Sequence, residues 1–367
     1  MKVKIFILSV ASLVIGLVLI VFVNAKIAEP TIFESNIKVA FIGDQGRGDN
    51  PRAVLRLIKQ EGASLVVHAG DFDYEDNPDA WEKAINKTLG KKFPYIASVG
   101  NHEVGPWWLF YYPWPDYQKK LINRLKRTPI VKCSGDIAVK SLCRYKGLVF
   151  VFSGVDVLET GHSEYISEKL SQNPDAVWKI CSWHKNQEEM QVGGKGDQVG
   201  WGIYEACRQH GAIIATAHSH IYARTKTLID MTNQVIDPNC SDSNVACVKP
   251  GKTFSFVSGL GGHSTDTQER CFDGCKGEWA SIYTGNQNAV YGALFIIFNY
   301  QGDPYRAHGY FKNINGVIID EFDILAEPPA VSSSEQKKVF PLPITPPLRS
   351  QLRYNVDDVP SSFYNGF

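Results

Sequence analysis

Metal-capable side chains recur in this sequence at one kind of place. Asp44 sits in Gly43-Asp44-Gln45-Gly46, Asp71 in Gly70-Asp71-Phe72-Asp73-Tyr74, and Asn101 and His102 in Gly100-Asn101-His102-Glu103. His184 follows the apolar run that ends near Ser182, and His218 and His220 follow the run that ends at Thr216. Carboxylate, amide and imidazole donors together bind hard and borderline cations. A single Asp after a strand is ordinarily a cap or a turn residue. Five successive strand ends that each deliver Asp, Asn or His are not explained by independent structural roles.

The elements that must position these groups form a regular series. Residues 38–42, 65–69, 95–99, 148–152, 177–182 and 212–216 read as strands. Helices are expected at 51–60, with Asn50 as cap and Pro51 in the first turn, and at 79–89, 164–170 and 201–209. Strands separated by helices imply a largely parallel sheet. In open α/β sheets, sites assemble beyond the carboxyl ends of the strands. After Ile221 the pattern changes: 254–257, 291–299, 306–312 and 317–324 read as strands with short turns, including the hairpin signal Asn315-Gly316. An antiparallel second sheet is expected there.

The chain has 367 residues, with 38 Lys plus Arg against 38 Asp plus Glu. Zero net charge argues against a general polyanion binder, and no nucleic-acid binding is expected. Hydrophobic residues at 44% and charged residues at 21% exclude wholesale disorder. Residues 5–23 carry no charge and follow Lys2 and Lys4. As a helix they reach about 28 Å, enough for a bilayer core of about 30 Å. The segment is either an uncleaved signal anchor, holding the protein in the membrane, or a secretory signal cut near Val23-Asn24-Ala25. Both readings export everything after residue 26. The expected organisation is a signal or anchor at 1–25, a catalytic domain at 37–325 and a Pro/Ser-rich tail at 326–367.

Export makes disulfides natural. Cys133 and Cys143, Cys240 and Cys247, and Cys271 and Cys275 are close in sequence and read as short staples. Cys181 and Cys207 fall in apolar segments and read as core thiols.

The five blocks, in this order, resemble the metal-site motifs of calcineurin-like metallophosphoesterases, over about residues 37 to 325. Two details resemble the purple acid phosphatase branch: Gly46 stands where the wider family carries a His, and Tyr74 stands three residues after Asp71. Ala217 and Cys181 depart from the family pattern but remove no donor atom. The resemblance implies an α/β (α+β) fold, a four-layer αββα sandwich of two mixed sheets flanked by helices. It implies two metal ions bridged by Asp71: Fe(III) held by Asp44, Asp71, Tyr74 and His220, and divalent Zn, Fe or Mn held by Asp71, Asn101, His184 and His218. The ligand types agree, because two carboxylates and a phenolate suit a trivalent ion and imidazoles suit a divalent one.

The activity implied is that of an exported acid phosphatase, which hydrolyses small phosphomonoesters with a metal-activated hydroxide, His102 serving as hydrogen-bond donor or general acid. The alternatives are a phosphodiesterase or nucleotide hydrolase of the same fold, and a non-catalytic exported binding protein. Of the other histidines, His68 is expected as a satisfied core or supporting residue and His263 as a candidate cleft wall, while His162, His210 and His308 read as structural. Glu103 is expected to orient a ligand histidine. The aromatic run from Trp107 to Tyr117 suits a cleft wall, a contact patch or core.

Overall fold

The computed structural model describes residues 34–105 and 113–327. The early strands are β1 (Ile37–Ile42), β2 (Leu65–Ala69), β3 (Tyr95–Ser98), β4 (Lys132–Asp136), β5 (Lys140–Tyr145) and β6 (Leu148–Ser153). There follow β7 (Lys179–Ser182), β8 (Ile213–Thr216), β9 (Tyr222–Thr225), β10 (Leu228–Asp230), β11 (Val235–Ile236) and β12 (Val245–Val248). The last are β13 (Ser255–Ser258), β14 (Trp279–Tyr283), β15 (Gly292–Phe298), β16 (Arg306–Asn313) and β17 (Ile318–Ala326). The helices are α1 (Asp49–Gln60), α2 (Pro78–Thr88), α3 (Trp114–Arg127), α4 (His162–Ser171) and α5 (Trp201–Gln209).

Two mixed sheets carry the fold. One has the order β12-β17-β16-β15-β1-β2-β3, the other β14-β9-β13-β8-β7-β6-β5-β4, and β10 and β11 form a separate ribbon. In the first, β1, β2 and β3 run parallel. In the second, β6, β7, β8 and β13 run parallel. These strands are covered on both faces, so they read as nearly continuous apolar runs rather than alternating ones.

The inner core lies between the sheets. Val39, Phe41, Leu65 and Val67 of the first meet Phe150, Phe152 and Phe256 of the second. Phe41 and Phe256 pack edge to face at 5.2 Å. On the outer side of the first sheet, Val54, Leu55 and Ile58 of α1, Trp81 and Ile85 of α2, and Tyr117 and Leu121 of α3 share a cluster with Ala40, Ile42 and Val66. Ile166 and Leu170 of α4 and Ile203 and Tyr204 of α5 cover Val151, Cys181 and Ile214 of the second. The layers are therefore helix, sheet, sheet, helix, as the resemblance implied.

The partition of the strands differs from the sequence expectation. The late strands make no antiparallel sheet of their own. β15 pairs antiparallel with β1, and β16 and β17 extend from it into the first sheet. β13 instead pairs parallel with β8. Apolar periodicity reports that a strand is buried, not which neighbour exchanges hydrogen bonds with it. The edge strand β4 has no counterpart among the expected elements, because it is largely exposed and carries no apolar pattern. Asn50 does not cap α1: Gly48 stands at that position, without a side-chain bond, and the helix begins at Asp49. The Asn315-Gly316 turn does join two antiparallel strands, β16 and β17.

All three predicted staples form. Cys181 and Cys207 are not free core thiols but a fourth disulfide, Cα–Cα 6.4 Å. The packing of α5 on β7 brings the two residues together, both fully buried, and no local spacing announces it. Among the described residues no helix is long and apolar enough to cross a membrane. The expected anchor at 5–23, the aromatics from Trp107 to Tyr112 and the tail beyond Glu327 lie outside the described residues. Trp114 and Tyr117, the described members of the aromatic run, are buried in the core under α3.

One buried ion pair ties the sheets together. Arg224 of β9 meets Asp320 of β17, Nε to Oδ2 at 2.7 Å and Nη2 to Oδ1 at 2.9 Å, and Tyr222 donates its hydroxyl to the same carboxylate at 2.6 Å. Removing one member leaves a buried charge unpaired. Asp320→Ala is therefore expected to lower unfolding free energy by about 3–5 kcal/mol. Denaturant titration checks this, and an unchanged midpoint would contradict it.

Candidate metal centre

The turns after β1, β2, β3, β7 and β8 converge at one edge of the sandwich, stitched by main-chain bonds. Asp44 N–H donates to Gly70 O (3.1 Å), Gln45 N–H to Asp71 O (2.9 Å), and Ala217 N–H to His184 O (3.1 Å). Four candidate donors sit on left-handed backbone: Asp44 at φ 55°, Asp71 at 59°, Tyr74 at 60° and His218 at 68°. Such conformations cost about 1–3 kcal/mol each and concentrate at functional sites. For a bulky Tyr the conformation is a marked outlier.

Two donor clusters result. In one, Tyr74 donates its hydroxyl to Asp44 Oδ1 at 3.0 Å, and its oxygen lies 3.0 Å from His220 Nε2. In the other, Asp71, His184 and His218 bring one donor atom each within 4.8 Å of one another. His184 Nε2 lies 3.1 Å from Asp71 Oδ2 and 3.1 Å from His218 Nδ1. Asp71 lies close enough to Tyr74 for its charge to raise the phenol, so it adjoins both clusters.

Neighbouring groups orient the rings. His184 Nδ1–H donates to Ala69 O at 2.7 Å, which turns Nε2 inward. His220 Nδ1 bonds the Ser264 hydroxyl at 2.5 Å, and its backbone N–H donates to Asp266. Sequence reasoning missed Ser264 and Asp266, which carry no motif signal and reach His220 only through the fold. Glu103 orients no histidine. Its carboxylate accepts the backbone N–H groups of Asp71 (3.0 Å), Phe72 (2.5 Å) and Gly100 (2.7 Å) and so clamps the loops after β2 and β3. Gly100 is obligatory there, since a Cβ would meet Asp71 Oδ1 at 2.2 Å.

The electrostatics are those of buried acids balanced by imidazoles. Burial alone would raise Asp71 and lower His184. Their mutual attraction reverses both, holding Asp71 well below the usual carboxylate range and lifting His184 to about 9. Burial and the His184 charge push His218 down to about 2. Burial and the neighbouring carboxylates push the Tyr74 phenol far up, so it keeps its proton unless a cation takes the proton's place.

The donors suit metal ions. Asn101 Oδ1 is buried and accepts no hydrogen bond among the described residues. Its neighbours both touch Asp71: Gly100 by contact, and His102 by an N–H donated to Oδ1 at 3.0 Å. A cation beside Asp71 would satisfy this orphaned acceptor.

At the mouth, two imidazoles flank Tyr74. His102, with a half-exposed side chain, has its ring 4.3 Å from that of Tyr74 and Nε2 3.9 Å from Asp71 Oδ2. His263 stacks flat on the other side at 3.6 Å. His68 is buried but not satisfied: neither ring nitrogen has a hydrogen-bond partner among the described residues, and the ring stacks on Phe72. His162 bonds Ser153 and Leu158 O, His210 bonds Ser167, and His308 bonds Asp323 and Glu321, all structural contacts.

The sequence pattern of the calcineurin-like phosphoesterases matches residues 37–222, about half of the chain, and the protein belongs to that family. Among solved structures it is similar to the purple acid phosphatase PPD1 from yellow lupin (Lupinus luteus) seeds. There the identity is 17%, the TM-score 0.58, and the match covers 81% of this chain and 55% of that one. The chain thus spans about half the length of that relative. It is also similar to GAP50, the anchor in the inner membrane complex of Plasmodium, with 12% identity, TM-score 0.50, and 80% and 90% of the two chains covered. At these identities the likeness concerns the fold. No curated protein matches the chain in sequence.

Proposed function

We propose that this phosphoesterase is an exported acid phosphatase of the purple type that hydrolyses small phosphomonoesters. The observation that carries the reading is the pair of donor clusters that adjoin at Asp71, one rich in anionic oxygen and one in imidazole. Asp44, Asp71, Tyr74 and His220 would hold Fe(III). Asp71, Asn101, His184 and His218 would hold a divalent Zn, Fe or Mn ion. In that position such ions would supply charge to neutralise the phosphoryl oxygens and to lower the pKa of a bound water, so that a nucleophile is available below neutral pH.

The chain's own residues do the rest. Asp71 sets the spacing of the two clusters. The Ala69 carbonyl and the Ser264 hydroxyl keep the imidazole nitrogens aimed inward. Glu103 keeps the two loops from parting. His102, accessible at the mouth, gives a hydrogen bond or proton to the leaving oxygen. Four disulfides support an oxidising compartment, and so export.

Full-length protein reconstituted with iron is expected to be purple from a tyrosinate–Fe(III) band, and Tyr74→Phe to be colourless. A colourless wild-type protein with two divalent ions would overturn the Fe(III) assignment and the acid optimum with it. A panel of monoesters, diesters and pyrophosphates tests the substrate. Preference for diesters or pyrophosphates would replace the monoesterase reading. No turnover by metal-loaded protein would favour a binding role, of the kind named for the Plasmodium anchor.

A further inference from the structure

A cavity of about 610 Å³ opens between α1 and α2, beside the Asp44 loop. That volume is within the range of small-molecule sites. Its wall includes Gly46, Arg47, Arg52, Glu75, Lys83 and Lys87. Gly46 and Glu75 each lie next to a candidate metal donor loop, and Gly46 connects the cavity to the mouth of the centre. A Cβ on Gly46 would come within 3.1 Å of His263, the residue stacked on Tyr74.

The charge of this wall departs from that of the chain. Across the whole sequence 38 basic residues balance 38 acidic ones, yet the cavity is lined by two arginines and two lysines against the single carboxylate of Glu75. Glu75 is engaged by Arg47. Arg52 bonds the Gly48 carbonyl at 2.7 Å and lies 3.4 Å from Asp49. Lys83 and Lys87 stand one helical turn apart on the same face of α2. Neither has an ion pair or side-chain hydrogen bond among the described residues. The cavity also meets the start of α1, where Gly48 offers no side-chain cap, and the positive end of the helix adds to the same sign.

We propose that this cavity is a subsite for a second anionic group, and that the preferred substrates are small molecules whose leaving group carries a further phosphate. This rests on the reading that the two donor clusters form the hydrolytic centre. A leaving group that passes His102 is directed past the edge of the Tyr74–His263 stack toward Gly46 and Glu75. Its second phosphate then meets the free ammonium groups of Lys83 and Lys87.

The test compares glucose 1,6-bisphosphate with glucose 6-phosphate, using the full chain and a Lys83→Glu/Lys87→Glu double variant. Both positions are exposed on a helix, and glutamate is a good helix former. Wild type is expected to favour the bisphosphate by roughly tenfold in kcat/KM, and the variant to lose most of that preference. No preference in wild type, or a preference that survives in the variant, would overturn the subsite. If neither ester is hydrolysed, the functional reading fails, and calorimetry with inorganic pyrophosphate decides the subsite by itself. Binding by chelator-treated wild type that is lost in the variant upholds the subsite, and equal binding or none overturns it.

Discussion

Asp71→Asn is expected to reduce bound metal from two ions per chain to one or none and to lower kcat/KM by about 10³-fold or more. The size follows from how much converges on this carboxylate. It is 1% exposed. Oδ2 lies 3.1 Å from His184 Nε2, Oδ1 accepts the His102 N–H at 3.0 Å, and its charge reaches Tyr74 in the other cluster. Asn is the informative substitution because it preserves shape and tolerates the left-handed backbone at φ 59°. Alanine would add backbone strain at that φ and leave a void where the carboxylate packs, mixing folding with chemistry. Metal analysis with steady-state kinetics on folded protein checks the prediction. Two retained ions with near-normal turnover would remove Asp71 from the bridging role.

His102→Ala is expected to keep both metals and the fold while kcat drops by about 10²- to 10⁴-fold. Its side chain is 48% exposed and its ring lies against that of Tyr74, so stability should change by about 1 kcal/mol or less. The loss should depend on the leaving group. Alkyl phosphates, whose departing oxygen needs a proton, should suffer more than p-nitrophenyl phosphate, whose departing oxygen does not. An equal loss for both would mean that His102 binds the phosphoryl group instead of assisting departure. Retained activity with retained metals would end either role.

Much of the site was legible because its logic is local. Asp44, Asp71, Asn101, His184, His218 and His220 each follow a strand, and a strand end can be recognised from the apolar run before it and the glycine or polar turn after it. In the structure these strand ends share one edge of the sandwich, with donors in two clusters and Asn101 Oδ1 buried without a hydrogen-bond partner among the described residues. The short disulfides were legible for the same reason, since few residues separate their cysteines.

By itself, the sequence determined which residue types stand at strand ends, and hence that candidate donors for metal ions gather at one edge of an α/β fold. Only the tertiary structure decided the partners. It put β15 beside β1, joined Cys181 to Cys207, laid His263 on Tyr74, turned Glu103 toward backbone N–H groups, and set Lys83 and Lys87 beside the Asp44 loop. The physical reason is common to all five. Periodicity and turn chemistry act over a few residues, so they specify elements and their ends. Register, helix docking and loop convergence join residues far apart in the chain, and these depend on how whole buried surfaces fit together.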